Sequence, residues 1–206
     1  MKIMMFGHTG SLNRGCEAIV RSSCKIIKDT VNEAEVMLAS NRPQTDRIIK
    51  DVDYVFDGSL KDIKLNLLDK IKVYTQLKLL KSEDYILTKR YQSVVDKIND
   101  VDICLSIGGD NYCYGEQDWL YAINKNIKKK GKKLVLWGCS IGDEDLSERK
   151  LNDLKTFDLI LARETLTYEA LTSKGLTNVK LVADPAFTMV KEELPLPKGW
   201  KENDIV

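Results

Sequence analysis

Short apolar runs that end in glycine, each followed by an amphipathic stretch, constrain this chain most. "KIMMF" at 2–6 stops at Gly7, "DICLSI" at 102–107 stops at Gly108 and Gly109, and "KLVLW" at 133–137 stops at Gly138. Runs this short and this apolar suit strands buried on both faces, as in parallel sheets. The segment after the first run changes period. Cys16, Ile19, Val20, Ser23, Cys24, Ile27 and Val31 recur every three or four residues, which predicts a helix from about Arg14 to Thr30 with Asn13 as its cap. Further strands are expected at 35–40, 53–56, 158–162 and 178–184, and helices at 119–130, 144–155 and 164–174. Residues 60–99 read as a helix to about Leu80 and another from about Tyr85 to Ile98. The apolar residues of the 60–80 part could also line a partner or a lid.

This alternation predicts an α/β domain over residues 1–190, a Rossmann-like, mostly parallel sheet with helices on both faces. Right-handed crossovers gather the strand exits on one edge, and ligands collect there near the point where strand order reverses. The end of the chain, "KEELPLPKGWKENDIV" at 191–206, reads as a linker, with "NDIV" as the possible start of a missing carboxyl-terminal domain.

Charge and cysteine content narrow the partners. Thirty-two basic and thirty-one acidic residues leave a net charge of +1, which argues against a dedicated nucleic-acid surface. The densest basic run, Lys125 to Lys133, falls on a helix end at the far edge of the sheet and needs only solvent. Five cysteines without a CxxC pair suggest reduced thiols and a cytoplasmic protein, and "MKIMMFG" is too short for a signal peptide or a membrane span. With one histidine, His8, a histidine-rich metal centre is not expected, and neither metal nor cofactor is assigned.

Five strand exits carry candidate chemistry. In "GHTGSLNRGCEAIV" at 7–20, Gly10 and Gly15 permit close approach of a ligand, and Asn13 to Cys16 open a helix whose N–H groups suit an anion. Arg14 adds a fork of donors, and His8 can relay a proton. The spacing fits neither a dinucleotide nor a Walker loop, and a turn packing strand on helix explains it equally well. In "SIGGDNYCYG" at 106–115, Asp110 is a candidate base or sugar-hydroxyl acceptor, Asn111 can bond both ways, and Tyr112 could stack on a sugar. Asp110 could instead cap the following segment. In "WGCSIG" at 137–142, Ser140 is a donor and Cys139 reads as a packed thiol rather than a nucleophile. In "LARETLTYEAL" at 161–171, Arg163 aims at the crevice or pairs with a carboxylate, and in "VADPAF" at 182–187 Asp184 starts a rigid acidic turn.

The ordered set of these five motifs, from residue 1 to about 190, resembles the polysaccharide pyruvyl transferase family. The resemblance implies the amino-terminal half of a two-domain GT-B-like enzyme. It would transfer the enolpyruvyl unit of phosphoenolpyruvate to two hydroxyls of a saccharide, forming a cyclic ketal and releasing phosphate. The isolated half would be inactive, and a lipid-linked acceptor would bring the protein to the inner face of the membrane, with no transmembrane segment. Carried onto this chain, the motifs correspond to Gly10, Asn13, Gly15, Glu17 and Ala18, then Gly108, Gly109 and Asp110, then Gly138 and Gly142, then Arg163 and Thr167, and last Asp184 and Pro185. Cys16 stands where the family often has an acid, and Asp110 where it commonly has a third glycine. The alternatives are a glycosyltransferase using a nucleotide sugar and a non-catalytic saccharide-binding domain.

Overall fold

The computed structural model describes residues 1–190 and Gly199. The linker and further strand expected at 191–206 therefore fall outside the described residues, Gly199 aside. Among the described residues, seven strands form one parallel sheet: β1 (Lys2–His8), β2 (Glu35–Ser40), β3 (Tyr54–Asp57), β4 (Ile103–Ile107), β5 (Lys133–Cys139), β6 (Leu159–Ala162) and β7 (Val179–Leu181). Their order is β3-β2-β1-β4-β5-β6-β7, so the strand order reverses between β1 and β4.

The unbroken apolar runs are explained by burial on both faces. Met4 and Phe6 of β1 pack on one side with Cys104, Leu134 and Leu136, while Ile3 and Met5 pack on the other with Val36, Leu38 and Leu105. Helix α1 (Arg14–Thr30) covers the second side through Ile19, Val20, Cys24 and Ile27. Helices α5 (Gln92–Lys97), α6 (Asp118–Lys129) and α7 (Glu148–Leu154) cover the first. The Trp137 indole N–H donates to Ser23 Oγ at 2.9 Å, tying β5 to α1 across 114 positions of sequence. A one-turn helix, α2 (Pro43–Asp46), precedes β3, and α8 (Thr165–Ser173) precedes β7.

The region between β3 and β4 departs from the sequence reading. Helix α3 begins only at Leu67, where Asn66 Oδ1 accepts the Asp69 N–H at 2.8 Å, and runs Leu67–Thr75 before a wider π turn at Gln76–Leu80. Its leucines do not enter the core: Leu68 is 69% exposed, and no residue of α3 is buried. The second expected helix breaks at Tyr91, at φ −102° and ψ 24°, into α4 (Asp84–Arg90) and α5, and the Tyr91 ring stacks on Trp119, centroids 5.6 Å apart. Helix α7 starts at Glu148, later than expected, because Ser147 caps it and a short 3₁₀ turn occupies Asp143–Asp145.

This partition gives a direct comparison. Leu120→Ala removes a fully buried side chain and is expected to cost about 2–5 kcal/mol. Leu68→Ala on α3 should shift stability by less than about 0.5 kcal/mol. Urea unfolding followed by circular dichroism measures both.

Candidate functional site

Where β1 and β4 part, their exit loops enclose a crevice of about 200 Å³, lined by residues including Gly7, His8, Asn13, Cys16, Asp110 and Asn111. Two loops about a hundred positions apart in the chain thus share one site. The amide of Asn111 holds them together by donating to the Gly7 carbonyl at 3.0 Å and to that of Ile107 at 2.5 Å. Both strand ends would otherwise carry unpaired carbonyls as they diverge. A Cβ on Gly7, at φ +89°, would lie 2.7 Å from the Ile107 carbonyl oxygen, and one on Gly108, at φ +109°, 2.5 Å from the Asn111 amide nitrogen. Of the two bonding ends expected of Asn111, the donor end is therefore committed to the backbone.

The first loop hangs on a residue the sequence did not single out. Asp46, at the end of α2 and fully buried, accepts from His8 Nε2 at 3.0 Å, from the Ser11 N–H at 3.0 Å, and from the hydroxyls of Ser11 and Ser40. Burial alone would raise its carboxyl, but the hydrogen bonds from Ser11, Ser40 and His8 outweigh it and hold Asp46 below the usual carboxylate range. The His8 side chain is only 2% exposed. Its ring anchors the loop where the sequence suggested a proton relay.

At the start of α1, Asn13 caps as expected, accepting from Gly15 N at 3.0 Å and Cys16 N at 3.4 Å. The cap thereby occupies the N–H groups of Gly15 and Cys16, two of those the sequence reading left free for an anion. The Arg14 side chain is 79% exposed and pairs with Glu17 at 2.6 Å. Gly10, at φ +115°, packs against Arg42.

In the second loop, Asp110 lines the crevice, is exposed, and its carboxylate has no hydrogen bond or ion pair among the described residues. Tyr112 contradicts its expected stacking role. It is 1% exposed, with its hydroxyl donating to Asp153 at 2.6 Å, because the chain turns its ring into the core against Phe157. Asn124 donates to the Tyr112 hydroxyl at 2.7 Å and to Asp153 at 2.9 Å. Lys150, fully buried, donates to the Tyr112 carbonyl at 2.6 Å and so pins the loop from below. A lysine in an otherwise charged helical stretch gives no sequence signal for such a role.

The remaining three exits form a contiguous latch. Arg163 Nε donates to Ser140 Oγ at 2.8 Å and Nη1 to Asp184 at 2.8 Å, which realises the carboxylate-pairing alternative. Its guanidinium lies so close over Gly109 that a Cβ there would collide with Nη1. A Cβ on Gly138, at φ +73°, would lie 3.0 Å from the Pro185 ring, so the β5 exit and the acidic turn pack directly on one another. Thr167 is buried and accepts the Ile141 N–H at 2.8 Å, so it shapes the β5 exit and does not face a ligand. Cys139 is a packed thiol, pushed up to about 12 by burial. Lys128 and Lys133 of the basic run pair with Asp158 at 2.6 and 3.0 Å. Among the described residues, no group of three His, Cys, Asp or Glu side chains is placed to hold a metal ion, and no helix is long and apolar enough to cross a membrane.

Fold and site define a Rossmann-like domain with a crevice at the switch point of a parallel sheet. The sequence model of the polysaccharide pyruvyl transferase family matches residues 13–203, and the chain belongs to that family. Among solved structures, it is similar to UDP-GlcNAc 2-epimerase from Neisseria meningitidis bound to UDP-GlcNAc, with a TM-score of 0.52 and 14% identity over 88% of this chain and 45% of that one. It is also similar to S. aureus MnaA with UDP, with a TM-score of 0.49 and 14% identity over 89% of this chain and 44% of that one. The chain thus spans less than half the length of these structures. A comparison with curated proteins returns no match.

Asp153 yields a pH prediction. Burial, only partly opposed by the Tyr112 and Asn124 hydrogen bonds, raises its carboxyl to about 6. The folded chain therefore holds this proton more tightly than the unfolded chain, so the contribution of Asp153 to stability is greatest below the ordinary carboxylate range and falls as pH rises toward 6. Asp153→Asn should remove that fall, seen as a flatter dependence of the urea midpoint between about pH 4 and 6.5. Gly7→Ala should cost about 1–3 kcal/mol, because its added Cβ meets backbone at a left-handed φ, and urea unfolding at about pH 7 reads it.

Proposed function

We propose that the full-length protein is a pyruvyl transferase that forms a pyruvate ketal on a saccharide. In this reaction C2 of phosphoenolpyruvate gains bonds to two sugar oxygens, its methylene carbon takes up a proton to become the methyl group, and the C2–O bond to phosphate breaks. One hydroxyl proton balances the methyl group and the other leaves with phosphate. Family membership supports the class of chemistry. The observation that carries this domain's part is the unpaired Asp110 carboxylate at the switch-point crevice, beside Asn111.

In this reading the crevice takes the saccharide acceptor. Asp110 accepts the hydrogen of an attacking hydroxyl as base or orienting group. The carbonyl oxygen of the Asn111 side chain remains to receive a second hydroxyl, since its amide nitrogen is used by the backbone. Arg163 acts by fixing the Gly109 corner on which Asp110 sits, with two of its donors already given to Ser140 and Asp184. Cations facing the phosphate and carboxylate of the donor come from a carboxyl-terminal domain across the cleft. Acceptors carried on lipid would place the enzyme in the cytoplasm at the inner membrane face.

The glycosyltransferase alternative draws on the fold shared with a protein bound to UDP-GlcNAc. Phosphate release separates the two. The full-length protein should release phosphate from phosphoenolpyruvate only with a saccharide acceptor present, and release no nucleotide from a nucleotide sugar. Asp110→Asn should lower kcat by about 10²-fold or more with the unfolding midpoint unchanged. Undiminished turnover in that variant would remove Asp110 from the mechanism.

A further inference from the structure

Helix α3 and its π turn carry an apolar face that no described residue covers. Leu67, Leu68, Ile71, Tyr74 and Leu79 are all exposed, and at about 100° per residue they fall on one side of the helix. The opposite side meets the protein. Gln76 Oε1 accepts the Tyr85 N–H at 2.9 Å, and the Tyr85 hydroxyl donates to Asp69. Exposure of these leucines is therefore not a sign of an unattached helix, since its inner side is bonded to α4.

The charges on this element have one sign on the outside. Lys70 and Lys78 are exposed on the outside and the Lys72 ammonium lies over the Tyr85 ring, 5.5 Å from its centroid, while Asp69, the only acid between residues 67 and 80, is turned inward to Tyr85 and Lys89. Lys78 lies against Tyr74, its Nζ 3.0 Å from the hydroxyl, so a cation sits within the apolar face itself. A second copy docked face to face would bring lysines onto lysines with no carboxylate of this element to meet them. An anionic bilayer surface satisfies both halves of the pattern: leucines and the tyrosine enter the boundary of the acyl chains while lysine stems reach back to the headgroup phosphates.

We infer that the outward face of residues 67–79 docks this protein in plane on an anionic phospholipid surface. The contact is independent of the transfer reaction, and its test needs no substrate. Flotation of the full chain with vesicles of phosphatidylcholine alone, or of an equal mixture with phosphatidylglycerol, measures it. The chain should float with the mixed vesicles, less so at high salt, and stay behind with phosphatidylcholine. Leu67→Ser with Ile71→Ser should weaken mixed-vesicle binding at least about tenfold. Lys70→Gln with Lys78→Gln should weaken it by about fivefold per lysine. Every substituted side chain is exposed, and unfolding midpoints are measured alongside.

Absence of flotation with the mixed vesicles overturns the inference, as does undiminished flotation of both variants. A stable dimer in sedimentation that Leu67→Ser with Ile71→Ser dissolves would assign the face to a second copy instead and likewise overturn it.

Discussion

The divergence of β1 from β4 is the constraint on which the site depends. Two neighbouring parallel strands whose following helices leave toward opposite faces must end with backbone carbonyls that no longer face a partner strand. Here one side-chain amide, that of Asn111, accepts the task for both, bonding the carbonyls of Gly7 and Ile107. The geometry leaves no room for side chains beside it, so glycine stands at 7 and 108. The crevice is the space opened by the parting strands, and Asp110 stands at its edge because it directly precedes that asparagine.

Around this centre, supports come from beneath and from the side. Asp46 gathers the first loop through His8, Ser11 and Ser40, while Lys150 holds the second through the carbonyl of Tyr112. The Arg163 guanidinium bridges Ser140 and Asp184 over Gly109, linking three further strand exits. Most of the polar residues near the crevice thus serve to hold backbone. Asp110 differs in having its carboxylate unengaged among the described residues, which is why the functional reading rests on it.

Much of the fold was legible because burial on two faces leaves a simple mark. Seven apolar runs became seven strands, and Asn13 capped the helix whose three-and-four spacing began at Cys16. Family membership, too, could be read from the order of the strand-exit motifs. Side-chain direction in the loops was not legible, since no period governs it. Tyr112 went inward to Asp153, and Arg14 went outward to Glu17. The roles of Asp46 and Lys150 have no local mark for a related reason: Asp46 reaches His8, and Lys150 reaches the Tyr112 carbonyl, across 38 positions each, a separation at which local pattern carries no information. The late start of α3 reflects a helix whose apolar residues never joined the core that would have extended it.

The cysteines carry a consequence of the same two-sided packing. Cys24 lies in the layer under α1, while Cys104 and Cys139 lie in the layer across the sheet, and burial pushes each thiol up to about 12. In the native chain these sulfurs are nearly mute toward alkylating reagents, since the reactive thiolate is scarce and the approach is closed. Each becomes reactive only when its own layer opens. The protein thereby carries built-in chronometers, one on the α1 side of the sheet and two on the other, that can record which layer loosens first.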